Sequence, residues 1–308
     1  MLRATTRITT RARVVAVGDV HGDFQKTVGA LSVAGVLDWR EDGQPQWVGG
    51  DTVLVQVGDV LDRGDREIAI ISLLQHLQRQ AEEAGGRVLL LNGNHEALNV
   101  LGDFRYVTPG GFAESSKIVQ MSTSVPDDVS GTWEGQLRAR LALFSPGGPV
   151  ANQLAKNYTV LQVNDTVFAH GGLRPAHVDY GIEKMNEEVS NWMAGVKTEG
   201  GTRFPPPMDA MGSGDSVMWN RSYSKEEFDN PVERYHAANM LQQTLDKLDA
   251  ARLVVGHTPQ FRGVNDELGG RIWRVDVGMS SGVLGARPQV MEILPSPNGG
   301  ASQINILS

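Results

Sequence analysis

Five short apolar runs, each ending in a cluster of Gly, Asp, Asn or His, set the strongest constraint on how this chain folds. Val14–Val17 leads into Gly18-Asp19-Val20-His21-Gly22, and Val53–Val57 into Gly58-Asp59-Val60-Leu61-Asp62-Arg63-Gly64. Val88–Leu91 leads into Asn92-Gly93-Asn94-His95-Glu96, Thr166–Ala169 into His170-Gly171-Gly172, and Leu253–Val255 into Gly256-His257-Thr258-Pro259. Runs this short and mostly apolar read as strands covered on both faces. Between the second and third run, Arg66–Ala84 carries Ile68, Ile71, Leu74 and Leu77 at helical spacing and stops at Gly85-Gly86,. Strand, helix and strand in that order make a parallel crossover unit and an α/β fold class. A second helix is predicted from Phe24 to about Ala34. A hairpin is predicted over Tyr158–Ala169, turning at Asn164-Asp165, with later strands at Arg271–Val277 and Gln289–Leu294,.

The 308 residues suffice for one large α/β domain with a sizeable core,. The chain reads as a disordered tail over 1–13 followed by a single domain over 14–308. Insertions interrupt it at about 98–157, partly helical and expected as a cap or lid, and at 197–215, a Gly/Pro-rich stretch expected as a flexible surface loop. The tail MLRATTRITTRAR has four arginines, four threonines and no acid. It resembles the end of an organelle transit peptide, but reads more simply as a short disordered start. A soluble, intracellular protein is expected, cytoplasmic or, if that start is a transit remnant, organellar. No apolar run approaches the roughly 20 residues that span a bilayer, so no membrane partner is expected. The net charge of −8 disfavours a nucleic-acid partner,. With no cysteine, disulfides, thiolate metal sites and cysteine nucleophiles are excluded,. The oligomeric state is not legible.

All five polar clusters follow strand-like runs, and the carboxyl ends of parallel strands gather at one edge, where ligands bind. Asp19, His21, Asp59, Asn94, His170 and His257 are then brought together. They are oxygen and nitrogen donors of intermediate hardness, suited to manganese, with iron or zinc as alternatives. One ion takes Asp19, His21 and Asp59; the other takes Asn94, His170 and His257, with Asp59 bridging. A bridging carboxylate sets two cations on the order of 3.5–4 Å apart, as in two-metal hydrolases. Water between them loses a proton at a pKa of about 7 and attacks phosphorus directly, with no phosphoenzyme. The leaving oxygen needs a proton, for which His95 is the candidate acid and Asp62 the carboxylate that orients it. Arg63 and, less firmly anchored in pattern, Arg221 are the candidate phosphate clamps.

Taken in order, GDVHG at 18–22, GDVLDRG at 58–64, GNHE at 93–96, HGG at 170–172 and GH at 256–257 resemble the phosphoprotein phosphatase family of calcineurin-like metallophosphoesterases. The stretch GNHEALNVLGDFRYV is similar to the Shewanella-like phosphatases within it. The resemblance implies the same metal ligands and acid pair. It also implies a four-layer fold, a central β-sandwich flanked by helices, where strand order alone suggests a single doubly wound sheet. LRG-type and SAPNYC-type signatures of the large eukaryotic Ser/Thr enzymes are absent; Val277-Gly278-Met279-Ser280 follows the late strand instead.

The expected activity is hydrolysis of phosphate monoesters on phosphoproteins or small phosphomonoesters. The alternatives are a nucleotide or dinucleoside polyphosphate hydrolase with the same ligands, and a non-catalytic scaffold with a dead site. Glu96 is expected to support the loop rather than bind metal. Asp62 has a competing role as a helix cap near Arg66, and Asp276 reads either as a partner supporting the metal ligands or as a strand-end turn residue. His76, His177 and His236 lie outside every motif; His76 reads as a helix-surface residue, and His177 and His236 as structural. Trp219 reads as core or pocket lining, and Tyr106 as either core or substrate contact.

Overall fold

Both crossover helices and all five strand runs are present in the computed structural model, which describes residues 5–122, 132–296 and 300–308. In the first half, β1 (Arg7–Ile8) and β2 (Val14–Val17) precede α1 (Phe24–Val33), then β3 (Leu37–Trp39), β4 (Pro45–Trp47), β5 (Val53–Gln56), α2 (Glu67–Glu83) and β6 (Arg87–Leu90). α1 starts where the Asp23 side chain accepts the Lys26 N–H, a helix N-cap,. The four apolar positions that predicted α2 are all buried. β2, β5 and β6 run parallel, with Val15 opposite Leu54 and Leu54 opposite Val88.

Next come α3 (Asn94–Leu101), α4 (Pro109–Ser122), α5 (Trp133–Phe144) and α6 (Pro149–Leu154). The predicted hairpin is β7 (Val160–Val163) and β8 (Thr166–Ala169), with Asn164 at φ 53 in the turn. Then follow α7 (Pro175–Tyr180), α8 (Ile182–Met193), α9 (Pro231–Leu248), β9 (Arg252–Val255), β10 (Asn265–Glu267), β11 (Ile272–Arg274), β12 (Val290–Leu294) and β13 (Gln303–Leu307).

The strands form two main sheets rather than one: β13-β12-β2-β5-β6 and β1-β7-β8-β9-β11-β10. Side-chain alternation shows how they pack. Leu161, Val163, Phe168 and Val254 of the second sheet share one core cluster with the first sheet and with α1 and α2. Val160, Val167, Ala169, Leu253 and Val255 join a second cluster with Ala237, Leu241, Leu245 and Leu248 of α9. The order is helices, sheet, sheet, helices: the four-layer fold that the resemblance implies, and not the single sheet that strand order alone suggests. Uniformly apolar strands cannot tell a sheet covered by helices from one covered by another sheet.

The N-terminal tail is corrected as well. Residues 1–4 of it lie outside the described residues, but Arg7–Ile8 adds to the edge of the second sheet beside Gln162 and Val163. Thr6 O and Ile8 O accept from Gln162 N and Asn164 N at 2.9 and 2.8 Å. Ile8 is buried there, a burial that contributes about 1.5–3 kcal/mol. The stretch expected as a cap is instead built into the core through Phe144, Val150, Ala151 and Leu154; its residues 123–131 lie outside the described residues. The 197–215 stretch lacks regular elements beyond a Lys197–Arg203 bridge, yet Asp209 and Ala210 are buried, so it is packed at its second half. No helix among the described residues is long and apolar enough to cross a membrane.

Candidate metal centre

The turns after β2, β5, β6, β8 and β9 converge, as the strand ends require. They converge through unusual backbone. Five of the eight non-glycine residues with positive φ among those described are His21, Asp59, Asp62, Arg63 and His257. That left-handed region costs of order 1–3 kcal/mol per residue and clusters at functional sites. Glycines make the approach possible. Gly58 has φ 97, and a Cβ there would stand 2.6 Å from Gly93 N and 2.9 Å from His170 Nδ1. Gly22 has φ 62, and a Cβ there would stand 2.7 Å from the Gly64 carbonyl carbon,.

Glu96 locks the strained β5 turn. Its carboxylate accepts from the backbone N–H groups of Asp59, Val60, Leu61 and Gly93 at 2.8, 2.8, 3.1 and 2.7 Å. Its two oxygens are committed to the loop, as expected of a supporting residue.

Asp59 stands in the middle. One oxygen, Oδ2, lies 3.8 Å from His21 Nε2, 3.2 Å from His170 Nε2 and 3.9 Å from His95 Nε2. Asp59 therefore belongs to two groups of donor atoms that lie within 4.8 Å of one another: with His21 and His95, and with His170 and His257. Asn94 Oδ1 lies 3.1 Å from His170 Nε2. Asp19 lies outside both groups. Its carboxylate accepts from His257 N at 3.1 and 3.3 Å and is hydrogen-bonded to the buried Asp276 carboxyl.

The donor set suits cations. His21 and His170 each spend Nδ1 on a backbone carbonyl, Leu61 O at 2.9 Å and Val57 O at 2.8 Å. That leaves Nε2 of each facing Asp59, the nitrogen a metal-binding histidine offers. His257 Nε2 is buried without a partner among the described residues. Burial holds His21 down to about 4, and burial with the neighbouring His170 and Arg221 holds His257 well below the usual imidazole range. Both rings are thus neutral, as ligands must be. Burial, with Asp276 and Asp59 nearby, pushes Asp19 well above the usual carboxylate range. Burial also lifts Asp276 to about 6. Buried carboxylates crowded this way call for positive charge.

Burial works against a charge on His95, but Asp59 and Asp62 outweigh it and raise the ring above the ordinary histidine range. His95 Nδ1 is 2.6 Å from Asp62 Oδ2. Asp62 does not cap α2; the first turn of that helix is held by Glu114, whose carboxylate accepts the N–H groups of Ile68 and Ala69 at 2.8 and 3.0 Å.

Arg63 and Arg221 both line a cavity of about 130 Å³ with His21, Asp59, Asn94, His95 and His257. Arg63 Nε is buried without a partner among the described residues, and its guanidinium lies 5.1 Å from the Tyr106 ring. Arg221 donates to Thr258 Oγ1 at 2.7 Å. Tyr106, left open by the sequence, lies on the cavity wall, 5.0 Å from the His95 ring. Trp219 also lines it. Asn99 was missed: it donates to Asp62 Oδ1 at 2.9 Å. Its position four residues after His95 on α3, on the same face, was the available signal. His76 stays on the helix surface beside Gln80, and His177 bonds the start of α7.

The sequence profile described as calcineurin-like phosphoesterase matches residues 12–278. Shewanella-like protein phosphatase 2 of Arabidopsis thaliana is 39% identical over 314 residues, spanning 94% of this chain and 76% of the relative. Shewanella-like protein phosphatase 1 of Plasmodium berghei is 30% identical, spanning 87% and 67%. Among solved structures, the cold-active protein-tyrosine phosphatase of a psychrophilic Shewanella superposes with a TM-score of 0.67 at 22% identity, over 99% of this chain and 83% of that one. At that identity the likeness speaks for the fold alone.

Proposed function

The chain belongs to the calcineurin-like phosphoesterase family, and from that premise we propose that it is a two-metal phosphatase acting on phosphate monoesters of phosphoproteins. The observation that carries this reading is the single Asp59 oxygen standing between His21 Nε2 at 3.8 Å and His170 Nε2 at 3.2 Å.

Asp19, His21 and Asp59 would hold one ion; Asn94, His170 and His257 the other, with Asp59 shared. Manganese suits these donors, with iron or zinc as alternatives. Bound there, such ions supply a water of lowered pKa and neutralise charge on the phosphate. His95 is also near Asp59, but its partner Asp62 and its raised affinity for a proton favour an acid over a ligand. With Asp62 accepting from Nδ1–H, the Nε2 proton faces the cavity and can pass to the leaving oxygen,. Arg63 would grip phosphate oxygens, its guanidinium 5.1 Å from the Tyr106 ring, and Arg221, which lines the same cavity, would do so as well,.

The test is hydrolysis of an aryl phosphate and of phosphopeptides by protein loaded with manganese, alongside metal analysis. Turnover accompanied by a pair of bound ions is expected. Inactivity with every divalent metal sinks the reading. Diadenosine tetraphosphate consumed far faster than phosphopeptides transfers the protein to the polyphosphate hydrolases.

A further inference from the structure

Behind the acid pair lies a buried arginine that neither the metal ligands nor the phosphate clamps explain. Arg140 sits on α5, within the inserted stretch, and is fully buried. Its guanidinium is ion-paired with Glu67 through both terminal nitrogens. It also donates to Asn99 Oδ1 from Nη2 at 2.6 Å and from Nε at 3.1 Å. Nη2 lies 3.8 Å from Asp62 Oδ1. The Phe144 ring faces the guanidinium carbon at 4.1 Å.

We propose that Arg140 is a positioning residue for proton delivery, holding Asp62, and through it the His95 ring, from behind the site. This rests on the reading of His95 as the general acid.

The direction of the contacts makes the case. Arginine only donates. Two of its N–H groups on Asn99 Oδ1 therefore fix which end of that amide faces it. Asn99 Nδ2 is left to donate to Asp62 Oδ1 at 2.9 Å and to His95 O at 2.9 Å. A freed Asn99 amide could turn its oxygen toward the Asp62 carboxylate and repel it. Glu67, held by Arg140, accepts the Asp62 backbone N–H at 2.5 Å. Arg140 thus fixes Asp62 at both its side chain and its backbone. The remaining Asp62 oxygen, Oδ2, meets His95 Nδ1 at 2.6 Å. A buried ion pair is weak evidence for a stability role, because desolvation offsets its attraction. A chain of directed hydrogen bonds ending on a reacting ring is evidence for placement.

In the step served, the oxygen of water forms a new P–O bond and its proton leaves to solvent. The ester P–O bond breaks, its electron pair goes to the ester oxygen, and that oxygen takes the His95 Nε2 proton. The more basic the leaving oxygen, the more the step needs that proton. Phenol, with a pKa of about 10 like tyrosine, needs it; a dinitrophenol leaves as the anion.

The experiment compares manganese-loaded wild type and Arg140→Lys on phenyl phosphate and dinitrophenyl phosphate. Lysine keeps a charge beside Glu67 but cannot span Glu67 and Asn99 together. The expected result is a fall of about tenfold in kcat on phenyl phosphate, a fraction of what general acid catalysis supplies. KM and metal content stay unchanged, and kcat on dinitrophenyl phosphate moves less than about twofold, since no proton is needed there. Asn99→Ala leaves the Arg140–Glu67 pair in place, should reproduce the pattern, and carries the test if Arg140→Lys does not fold. Equal losses on both esters in the folded variants, or no loss on either, overturn the positioning role. A wild type inactive on both esters overturns the phosphatase reading itself, and the positioning role with it.

Discussion

His95 Nδ1 and Asp62 Oδ2 stand 2.6 Å apart, both buried, which turns the other ring nitrogen of His95 toward Asp59 and the cavity. An imidazole paired this way can give up its Nε2 proton while the carboxylate holds its orientation. His95→Asn should lower kcat on a phenolic or alkyl phosphate by roughly 10²–10⁴-fold. Metal content should be unchanged, because Asn94 and not His95 is the assigned ligand. Steady-state kinetics beside metal analysis checks both. Loss of the ions in parallel with activity would make His95 a ligand instead.

Asp59 is shared by both donor groups. Asp59→Asn should therefore lose tight binding of both ions, whereas His21→Ala should weaken one. Metal loading should also stabilise the wild-type fold. Binding at a hundred times Kd adds about 2.7 kcal/mol for each site. Thermal unfolding with manganese and with a chelator measures that difference. Asp59→Asn should show little of it. A variant that keeps two tightly held ions rules out the bridging role.

Glu96 holds three backbone N–H groups of the turn that carries Asp59, and a fourth, that of Gly93, in the neighbouring turn. Glu96→Gln keeps the shape but offers one acceptor oxygen and an amide that faces donors. Bonds to a charged acceptor are worth about 1.5–3 kcal/mol each, so the loss should be about 3 kcal/mol. Urea unfolding should show a lower midpoint with an unchanged slope. Affinity for the ions should fall too, since Asp59 at φ 55 is held by this carboxylate. Unchanged stability would mean that the loop is set by its glycines alone.

The convergence of the five turns was legible because their Asp, Asn and His residues are confined to strand ends and to tight turns. Asp59, His170 and His257 do bring donor atoms within 4.8 Å of one another. Arg140 was not legible. Its helix carries Arg138 and Arg140 alike, and nothing in their spacing marks the buried one; the partner that decides it, Glu67, is 73 residues away in sequence. The β1 strand was hidden for another reason. It is held by backbone hydrogen bonds to Gln162 and Asn164, so an Arg/Thr-rich segment gives no side-chain pattern to read. The two-sheet arrangement came from family resemblance rather than from the runs themselves, because apolar strands report coverage and not what covers them.

His177 gives a pH test away from the metal centre. Its Nδ1 accepts the Arg174 N–H at 3.1 Å, and Nε2–H donates to Asp215 O at 2.7 Å. Both bonds are satisfied only by the neutral ring, and burial holds its pKa below the ordinary histidine value. The unfolded chain takes up a proton at about pH 6.5, while the folded chain resists it until lower pH. Between those two points the unfolded state binds more protons, so stability falls as pH falls. Above about 6.5 both states are neutral at this residue and the contribution is flat. Gln at this third position of α7 can accept the same N–H as a capping side chain, and it does not titrate. His177→Gln should therefore match wild type in urea unfolding at pH 7.5 and exceed it at pH 5, with the gap opening only on the acid side. A gap that is constant across that range would show that His177 is charged in the folded protein or exposed enough to titrate normally.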